Sequence, residues 1–392
     1  MGKILNERAP MQYRRFGKTD RELSVITLGG MRYPRQGEKP RTEVPREMLD
    51  NCIECIELAF DAGINHIETA WGYGKSESCY GIALNEELKI PRDSYHLMTK
   101  GMPKTPEDAK KLMHRQLQSL RTDHIDLYAV HGRNSREDFE ATLKPGGAME
   151  ELEKYREQGV IGELGFSTHC QDPQVLIDAI DTGRFAFMNL HYYYFWQLHA
   201  DVVAHAADND MGVFIISPNQ KGGQLYEPLP ELREITAPAT PIQFNARWCL
   251  SDPAVHTLSF GMNEASQFEE MRGVFPTQMP LGEAETAAHV ELEKRHDDVP
   301  HARYLGHELR DDPSGVNVPE VLRLRRLWKC FGLRGFARYR YNCFGSEGSW
   351  YPGEKATDEA IAKIDMSRVP DDVPLADLLR EAHEGLLRKP RS

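Results

Sequence analysis

The sequence lacks any apolar stretch long enough to cross a membrane. Over its 392 residues no window approaches the roughly 18 uninterrupted apolar side chains that a spanning helix needs. Its first residues also lack the apolar segment of a secretory signal, and Asn6 stands where a myristoylation motif has Ser or Thr. We therefore expect a cytoplasmic protein without a membrane partner.

An excess of positive charge is absent, and cysteines are few. The chain has 48 Lys and Arg against 60 Asp and Glu, a formal net charge of -12, which is the wrong sign for a nucleic-acid-binding protein. The 7 cysteines are an odd number spread over the chain, as expected of reduced thiols rather than of a disulfide framework. Cys52 and Cys55 lie one helical turn apart, and we interpret them as core-filling thiols.

The common nucleotide-binding motifs are missing as well. No Gly-x-Gly-x-x-Gly follows a predicted strand, which excludes the Rossmann mode of dinucleotide binding. The Gly-Lys-Thr and Gly-Lys-Ser triplets at 17–19 and 74–76 are not phosphate-binding loops, because Gln12 and Thr69 occupy the position of the required earlier glycine.

What the sequence does contain is a repeated alternation of short apolar runs and amphipathic helices. Eight candidate strands are present, at 24–30, 64–70, 95–100, 125–131, 160–167, 185–191, 212–217 and 255–261. Apolar strands that alternate with helices form a parallel sheet buried on both faces, and eight strands close it. We predict an α/β fold, a (β/α)8 TIM barrel with an N-terminal β-hairpin over 11–23 and a C-terminal, mainly helical extension.

The composition changes after Met271, where Pro, Glu, Asp and His become frequent. We predict two domains, the barrel with its hairpin over 11–275 and the extension over 276–392, with one helix near 283–296. A basic run follows, and we interpret its arginines as the solvated face of a helix, with an anion-binding patch as the alternative. These are Arg323, Arg325, Arg326, Arg334, Arg338 and Arg340.

Ionisable side chains gather at the ends of three predicted strands. Glu68 and Tyr73 follow the second strand, Lys100 ends the third, and His131 ends the fourth. In a barrel these ends share the face that carries active sites. An ammonium favours the phenolate form of a nearby tyrosine, so Tyr73 is predicted to donate a proton to a carbonyl oxygen. Lys100 would lower its pKa, Glu68 would orient Lys100, and His131 would hydrogen-bond the substrate; a hydride source must complete the reaction.

Three histidines offer a rival interpretation of the same face. His131, His169 and His191 follow consecutive strands and could bind a metal in a hydrolase. Metal-dependent barrel hydrolases usually carry His-x-His on the first strand, which here ends Leu-Gly-Gly-Met. We therefore expect no metal.

Residues 63–77, GINHIETAWGYGKSE, resemble the G-x-N-x-x-D-T-A-x-x-Y-G-x-S-E signature of the aldo-keto reductase superfamily, with Glu68 in place of Asp. Lys100 and His131 match its Lys and His, and the resemblance extends over about 12–271. It is strongest to a bacterial branch with a ferredoxin-like C-terminal extension. The resemblance implies an NAD(P)H-dependent oxidoreductase that interconverts a small carbonyl substrate and an alcohol.

The resemblance also implies a cofactor site of NADP(H) or NAD(H) at the barrel mouth. Its residues would be Ser167, Thr168, Ser217, Pro218, Asn219, Gly223, Leu225, Gly261, Asn263 and Gln267. Thr168 with His169 departs from the usual Ser-Asn continuation. Glu264 stands where the family often has basic residues, and a carboxylate there suits a free ribose hydroxyl better than a 2′-phosphate; the choice of cofactor stays open.

The tail resembles a cluster-binding extension that has lost its ligands. Residues 313–319 match the end of such an extension without its cysteine, and Cys330 and Cys343 are the cysteines that remain there. A four-iron cluster needs about four thiolates, so we expect no iron–sulfur cluster. The alternative function is a nicotinamide-dinucleotide-binding sensor or partner subunit with little turnover.

Overall fold

The computed structural model describes residues 2–219, 225, 229–346 and 352–388. The chain divides into two compact units, one of residues 1–219 with 242–281 and one of 220–241 with 282–392. The first unit thus continues past the predicted boundary at 275, because Thr277 donates a hydrogen bond to Gln12 of the hairpin segment. No helix within the described ranges is long and apolar enough to span a membrane.

The first unit is built on a closed barrel of eight parallel strands, which confirms the predicted fold. Neighbouring strands pair in chain order, and the last pairs with the first through Leu258 and Ile26. Most residues of these short strands are buried, as a sheet covered on both faces requires. The barrel strands are β3 (Ile26–Gly29), β4 (His66–Glu68), β5 (His96–Gly101), β6 (Ile125–His131), β7 (Ile161–Ser167), β8 (Phe187–Leu190), β9 (Gly212–Ile215) and β10 (Thr257–Phe260).

Helices follow the strands, and local sequence signals define their ends. Thr105 caps the third helix by accepting a hydrogen bond from the amide of Asp108, and Pro106 occupies its first turn. The helices of this unit are α1 (Arg46–Asp61), α2 (Ser76–Ile82), α3 (Pro106–Leu120), α4 (Arg136–Leu143), α5 (Ala148–Glu157), α6 (Pro173–Asp181), α7 (Ala200–Asp208), α9 (Pro241–Leu250) and α10 (Ala265–Arg272). A π-helical turn, Ala83–Glu87, extends α2.

The predicted hairpin closes the amino end of the barrel. Its strands β1 (Tyr13–Arg15) and β2 (Glu22–Ser24) pair antiparallel. Phe16, between them, is fully buried in the core and packs on Phe187 with ring centroids 5.6 Å apart. We therefore look for a functional site of this unit at the opposite rim, which is formed by the carboxyl ends of the strands.

The second unit is helical in its described part. Its helices are α8 (Pro230–Thr236), α11 (Glu283–Asp298), α12 (Val318–Phe331), α13 (Arg334–Cys343), α14 (Asp358–Ile361) and α15 (Leu375–Leu386). The helix predicted near 283–296 corresponds to α11. The basic run is split at Gly332, which takes a left-handed conformation with φ 68° and ends α12.

The interpretation of the arginines as a solvated face is wrong for half of them. Arg323, Arg325 and Arg340 are each at most 5% exposed. Arg323 forms two hydrogen bonds of 2.7 Å with Glu320 on the same helix, and Arg325 pairs with Glu381 of α15 at 2.5 Å. Pairing with carboxylates makes the burial of Arg323 and Arg325 possible.

Candidate active site

The barrel brings the four predicted catalytic side chains to one rim. Glu68 is the last residue of β4, Lys100 is the penultimate residue of β5, and His131 is the last residue of β6. Tyr73 lies in the turn that leads from β4 to α2, where its amide donates to the carbonyl oxygen of Ala70 at 2.9 Å. Adjacent parallel strands end at the same edge, so these groups meet there.

Glu68 and Lys100 form an ion pair inside the barrel. Their side chains are 3% and 0% exposed, and Ser259 donates a hydrogen bond of 3.3 Å to the second oxygen of Glu68. A Cβ added at Gly29 would lie 3.3 Å from that oxygen, so the bare glycine makes room for the long Glu68 side chain. Burial lowers the pKa of Lys100, and the adjacent carboxylate opposes that effect.

Tyr73 lies between the ammonium and the imidazole. The Nζ atom of Lys100 is 4.8 Å from the centroid of the Tyr73 ring, and the rings of Tyr73 and His131 meet edge to face at 5.9 Å. Burial raises the pKa of Tyr73, opposite to the effect expected from Lys100. We attribute this to the pairing of Lys100 with Glu68, since a neutral pair exerts little net field on the phenol.

The predicted cofactor residues at the end of β7 lie at the same rim. Ser167 ends β7, and Thr168 follows it; both are buried. The Thr168 hydroxyl donates to the carbonyl oxygen of Arg133 at 2.5 Å and accepts from the amide of Cys170 at 2.8 Å. The proton of the Thr168 hydroxyl and one of its lone pairs are therefore both used in hydrogen bonds to the protein backbone.

The predicted loop after β9 is described in part. Ser217 has φ 53°, the carbonyl oxygen of Pro218 accepts from Asn245 at 2.6 Å, and Asn219 is 7% exposed. Leu225 is a buried residue of the second unit. Gly223 lies outside the described residues.

The predicted residues after β10 are held by local hydrogen bonds. The amide of Asn263 donates to Oε1 of Gln267 at 2.9 Å, and Asn51 donates to the carbonyl oxygen of Asn263 at 2.8 Å. A Cβ added at Gly261 would lie 2.9 Å from Cγ of Arg32. The side chain of Arg32, from the loop after β3, therefore packs over the backbone of Gly261.

Sequence reasoning missed two residues at this rim. Arg32 is exposed and has no ion pair or hydrogen bond within the part of the chain that the structure describes; its position just after a strand end was the available signal. Asn189, inside β8, is fully buried and pairs in register with Ser167. Its Oδ1 atom has no hydrogen-bond partner among the described residues. The sequence feature that could have indicated Asn189 is a single amide side chain within an otherwise apolar strand.

The histidines do not form the rival metal site within the described ranges. Nδ1 of His169 lies 2.8 Å from Nε2 of His191, a direct hydrogen-bond distance that leaves no room for an ion between them. His191 also stacks on Trp196 with ring centroids 4.6 Å apart. Among described residues, no three His, Cys, Asp or Glu side chains are grouped to hold a metal.

Comparison with known proteins identifies the family. The model of the aldo/keto reductase family matches residues 25–292, and the chain belongs to this family. It is 32% identical over 160 residues to D-arabinose 1-dehydrogenase of Saccharomyces cerevisiae, a match that covers 38% of this chain and 44% of the yeast protein. It is 29% identical over 202 residues to methylglyoxal reductase DkgA of Yersinia pestis, covering 50% and 68%. The match thus spans less than half of the yeast protein.

Solved structures show the same fold. Aldo-keto reductase AKR11C1 from Bacillus halodurans, in its holo form, matches with TM-score 0.57 and 19% identity over 71% of this chain and 96% of that chain. An aldo/keto reductase from Klebsiella pneumoniae, solved in complex with NADP and acetate, matches with TM-score 0.55 and 20% identity over 71% and 94%. At such identities the likeness concerns the fold.

Proposed function

We propose that the protein is an NAD(P)H-dependent carbonyl reductase or alcohol dehydrogenase that acts on a small aldehyde, ketone or alcohol, with Tyr73 as the proton donor. The observation that carries the proposal is the unbroken series of contacts from Glu68 through Lys100 and Tyr73 to His131. Family membership supports it, since relatives in the family are named as reductases and dehydrogenases.

Each side chain then has a role that its surroundings suit. Tyr73 is protonated at neutral pH, since the usual pKa of tyrosine is about 10 and burial raises the pKa of Tyr73 further. Its hydroxyl can therefore donate a proton as a carbonyl oxygen gains negative charge. The Glu68 and Lys100 pair fixes the ammonium against the Tyr73 ring. His131, at the edge of that ring, donates a hydrogen bond to the same substrate oxygen and orients it.

The rim contains groups that fit a nicotinamide dinucleotide. The buried Oδ1 atom of Asn189 lacks a partner among the described residues and can accept an amide N–H, as a carboxamide offers. Arg32 offers an uncompensated cation to a phosphate. Ser167 and Gly261 lie beside these two residues. When bound, the reduced cofactor supplies the hydride that carbonyl reduction needs.

The proposal is tested with Tyr73→Phe, which removes one hydroxyl group. We expect kcat to fall by about 10²–10⁴, the usual contribution of a general acid. The Kd for the dinucleotide, followed by tryptophan fluorescence, should stay within about threefold of the wild-type value. Tyr13→Phe, which removes a hydroxyl group at the hairpin end, is the control and should keep the wild-type kcat. A Tyr73→Phe protein with wild-type kcat overturns the proposal.

One observation favours the alternative, a dinucleotide-binding sensor or partner subunit. The hydroxyl of Thr168, one of the predicted cofactor residues, is committed to the backbone, and this weakens one predicted contact to the cofactor. A sensor of this kind binds the dinucleotide with little turnover. Rapid reduction of simple aldehydes, ketones or quinones by the purified protein removes this alternative.

A further inference from the structure

Four buried polar side chains form a connected network on the outer side of strands β5 and β6. They are Glu77 on α2, Thr99 on β5, Gln116 on α3 and Tyr128 on β6. All four are at most 3% exposed. Thr99 precedes Lys100 on its strand, so their side chains point to opposite faces of the sheet. The network therefore lies behind the candidate active site and does not line it.

The hydrogen bonds of the network converge on one backbone carbonyl. Glu77 accepts hydrogen bonds of 2.6 Å from Thr99 and from the amide group of Gln116. That amide group also donates to the carbonyl oxygen of Lys100 at 3.2 Å, and the backbone amide of Trp71 donates to the same oxygen at 2.9 Å. The backbone of Lys100 is thus held from two sides.

The same network connects the elements that carry the other candidate catalytic groups. Helix α2, which carries Glu77, begins three residues after Tyr73, and the amide of Ser76 donates to the Tyr73 carbonyl oxygen at 3.0 Å. Tyr128 lies on β6, three residues before His131, and its hydroxyl donates to Oε1 of Gln116 at 3.0 Å. Tyr73, Lys100 and His131 are therefore all tied to one set of buried hydrogen bonds.

Space around the network is tight. A Cβ added at Gly101 would lie 2.3 Å from the hydroxyl oxygen of Tyr128 and 3.2 Å from Oε1 of Gln116. The strand end after Lys100 can approach α3 closely because residue 101 has no side chain. Close packing and satisfied buried hydrogen bonds leave a single arrangement for this edge of the barrel.

We propose that Glu77 and Gln116 are positioning residues, which set the distance of Tyr73 from Lys100 through hydrogen bonds to Thr99 and to the Lys100 carbonyl oxygen. The proposal rests on the proposed function, because it assigns a task to residues behind the proton donor. Within the described ranges, the side chains of Glu77 and Gln116 form no hydrogen bond with the four candidate catalytic side chains. Both therefore act through the backbone of β5 and the turn before α2.

The test compares two variants at position 77 that have similar length and differ in hydrogen bonding. Glu77→Gln keeps an acceptor oxygen and should retain kcat within about threefold of wild type. Glu77→Met has no such acceptor and should lower kcat by about 10–100-fold, since small misplacements of reacting groups cost about that much. The Kd for NADPH and NADH should stay within about threefold in both variants.

A second variant and a second readout keep the test decisive. If Glu77→Met does not fold, Tyr128→Phe removes one hydroxyl group and should lower kcat by about threefold or more. Hydrogen exchange at the Trp71 amide, followed by NMR in Gln116→Met, should accelerate by at least about tenfold, and this result does not depend on activity. Tyr13→Phe is the control for both measurements and should change neither.

The outcomes separate the positioning role from the proposed function. Wild-type protein without carbonyl turnover contradicts the proposed function, and the Trp71 exchange rate then decides the positioning role alone. An active wild type whose folded Glu77→Met and Gln116→Met variants keep full kcat overturns the positioning role alone. Loss of kcat in proportion to the unfolded fraction also overturns it, because that result indicates a purely structural contribution.

Discussion

At the residue scale, the interior of the barrel holds two opposite charges, Lys100 and Glu68, whose burial is tolerated because they pair with each other. Lys100 and Glu68 are shielded from water, and each would be costly to bury alone. The pair also explains why burial, rather than the ammonium, dominates the pKa of Tyr73. The sequence shows that these residues end neighbouring strands, but the screening of Lys100 by Glu68 depends on a contact that only the fold creates.

Removing one member of this pair should destabilise the protein strongly. Lys100→Met leaves Glu68 as a buried, unpaired carboxylate and should lower the free energy of unfolding by about 3–5 kcal/mol. The double variant Lys100→Met with Glu68→Leu should recover most of that loss while remaining inactive. Urea unfolding measures both effects. A Lys100→Met protein as stable as wild type would show that the pair is not desolvated.

Arg32 gives a second prediction at the residue scale. It is an exposed cation without a described partner and packs over Gly261, where the dinucleotide is proposed to bind. Arg32→Met should weaken NADPH and NADH binding by about 10-fold or more, as expected for the loss of a charge-assisted hydrogen bond. Arg35→Met, in the same loop but paired with Glu38, should bind as wild type does. Equal weakening of both dinucleotides indicates a pyrophosphate contact, and weakening of NADPH alone indicates the 2′-phosphate. Unchanged affinity for both contradicts the prediction.

At the element scale, the barrel has an amino end closed by the hairpin and a carboxyl end with the candidate site. Phe16 of the hairpin fills the amino end, and the carboxyl end carries the ionisable groups. Sequence periodicity predicts the strands well because each apolar run is bounded by turns. Their predicted ends differ from the observed ends by at most two residues, since pairing sets where a strand stops. It could not reveal the network of Glu77 and Gln116, because these residues are 39 positions apart.

The closed amino end should contribute stability without affecting the candidate site at the carboxyl end. Phe16→Ala removes a fully buried ring and should lower the free energy of unfolding by about 3–5 kcal/mol. Dinucleotide affinity of the folded variant should be unchanged, as fluorescence titration at low temperature would measure. Loss of binding by the folded variant would mean that the two ends of the barrel are coupled.

The buried carboxyl group of Glu77 on α2 should make the free energy of unfolding depend on pH. Burial raises its pKa to about 7 from a usual 4.5, so the folded state binds its proton more tightly than the unfolded chain does. The contribution is fully present below about pH 4.5 and is lost as pH rises through about 7. At about 1.4 kcal/mol per pKa unit, it amounts to roughly 3 kcal/mol. Glu77→Gln should remove this fall between pH 5 and 8, measured by urea unfolding; an unchanged slope contradicts the assignment.

At the scale of the whole molecule, the sequence separates a barrel that carries the candidate site from a helical unit of unassigned role. The family signature lies within 63–77, so the barrel and its candidate site could be predicted from local sequence. The burial of Arg325 could not, because its partner Glu381 lies 56 positions away. The membership of 220–241 in the second unit likewise depends on packing between distant segments.

We also predict from the sequence that the second unit holds no iron–sulfur cluster. Cys330 is buried, Cys343 is partly exposed, and a four-iron cluster needs about four thiolates. Elemental analysis of the anaerobically purified protein should find far less than one iron atom and one acid-labile sulfide per chain. About four iron atoms per chain would contradict the expectation.

The most direct test of the central claim is a single-turnover reaction of the wild-type chain with reduced dinucleotide and a panel of aldehydes and ketones. Following nicotinamide absorbance reports the hydride transfer itself, and Tyr73→Phe measured in parallel reports the proton. We predict oxidation of bound NADPH or NADH by at least one carbonyl, slowed by about 10² or more in Tyr73→Phe. Tight binding of both dinucleotides with no oxidation by any carbonyl, or equal rates in the two proteins, would contradict the account.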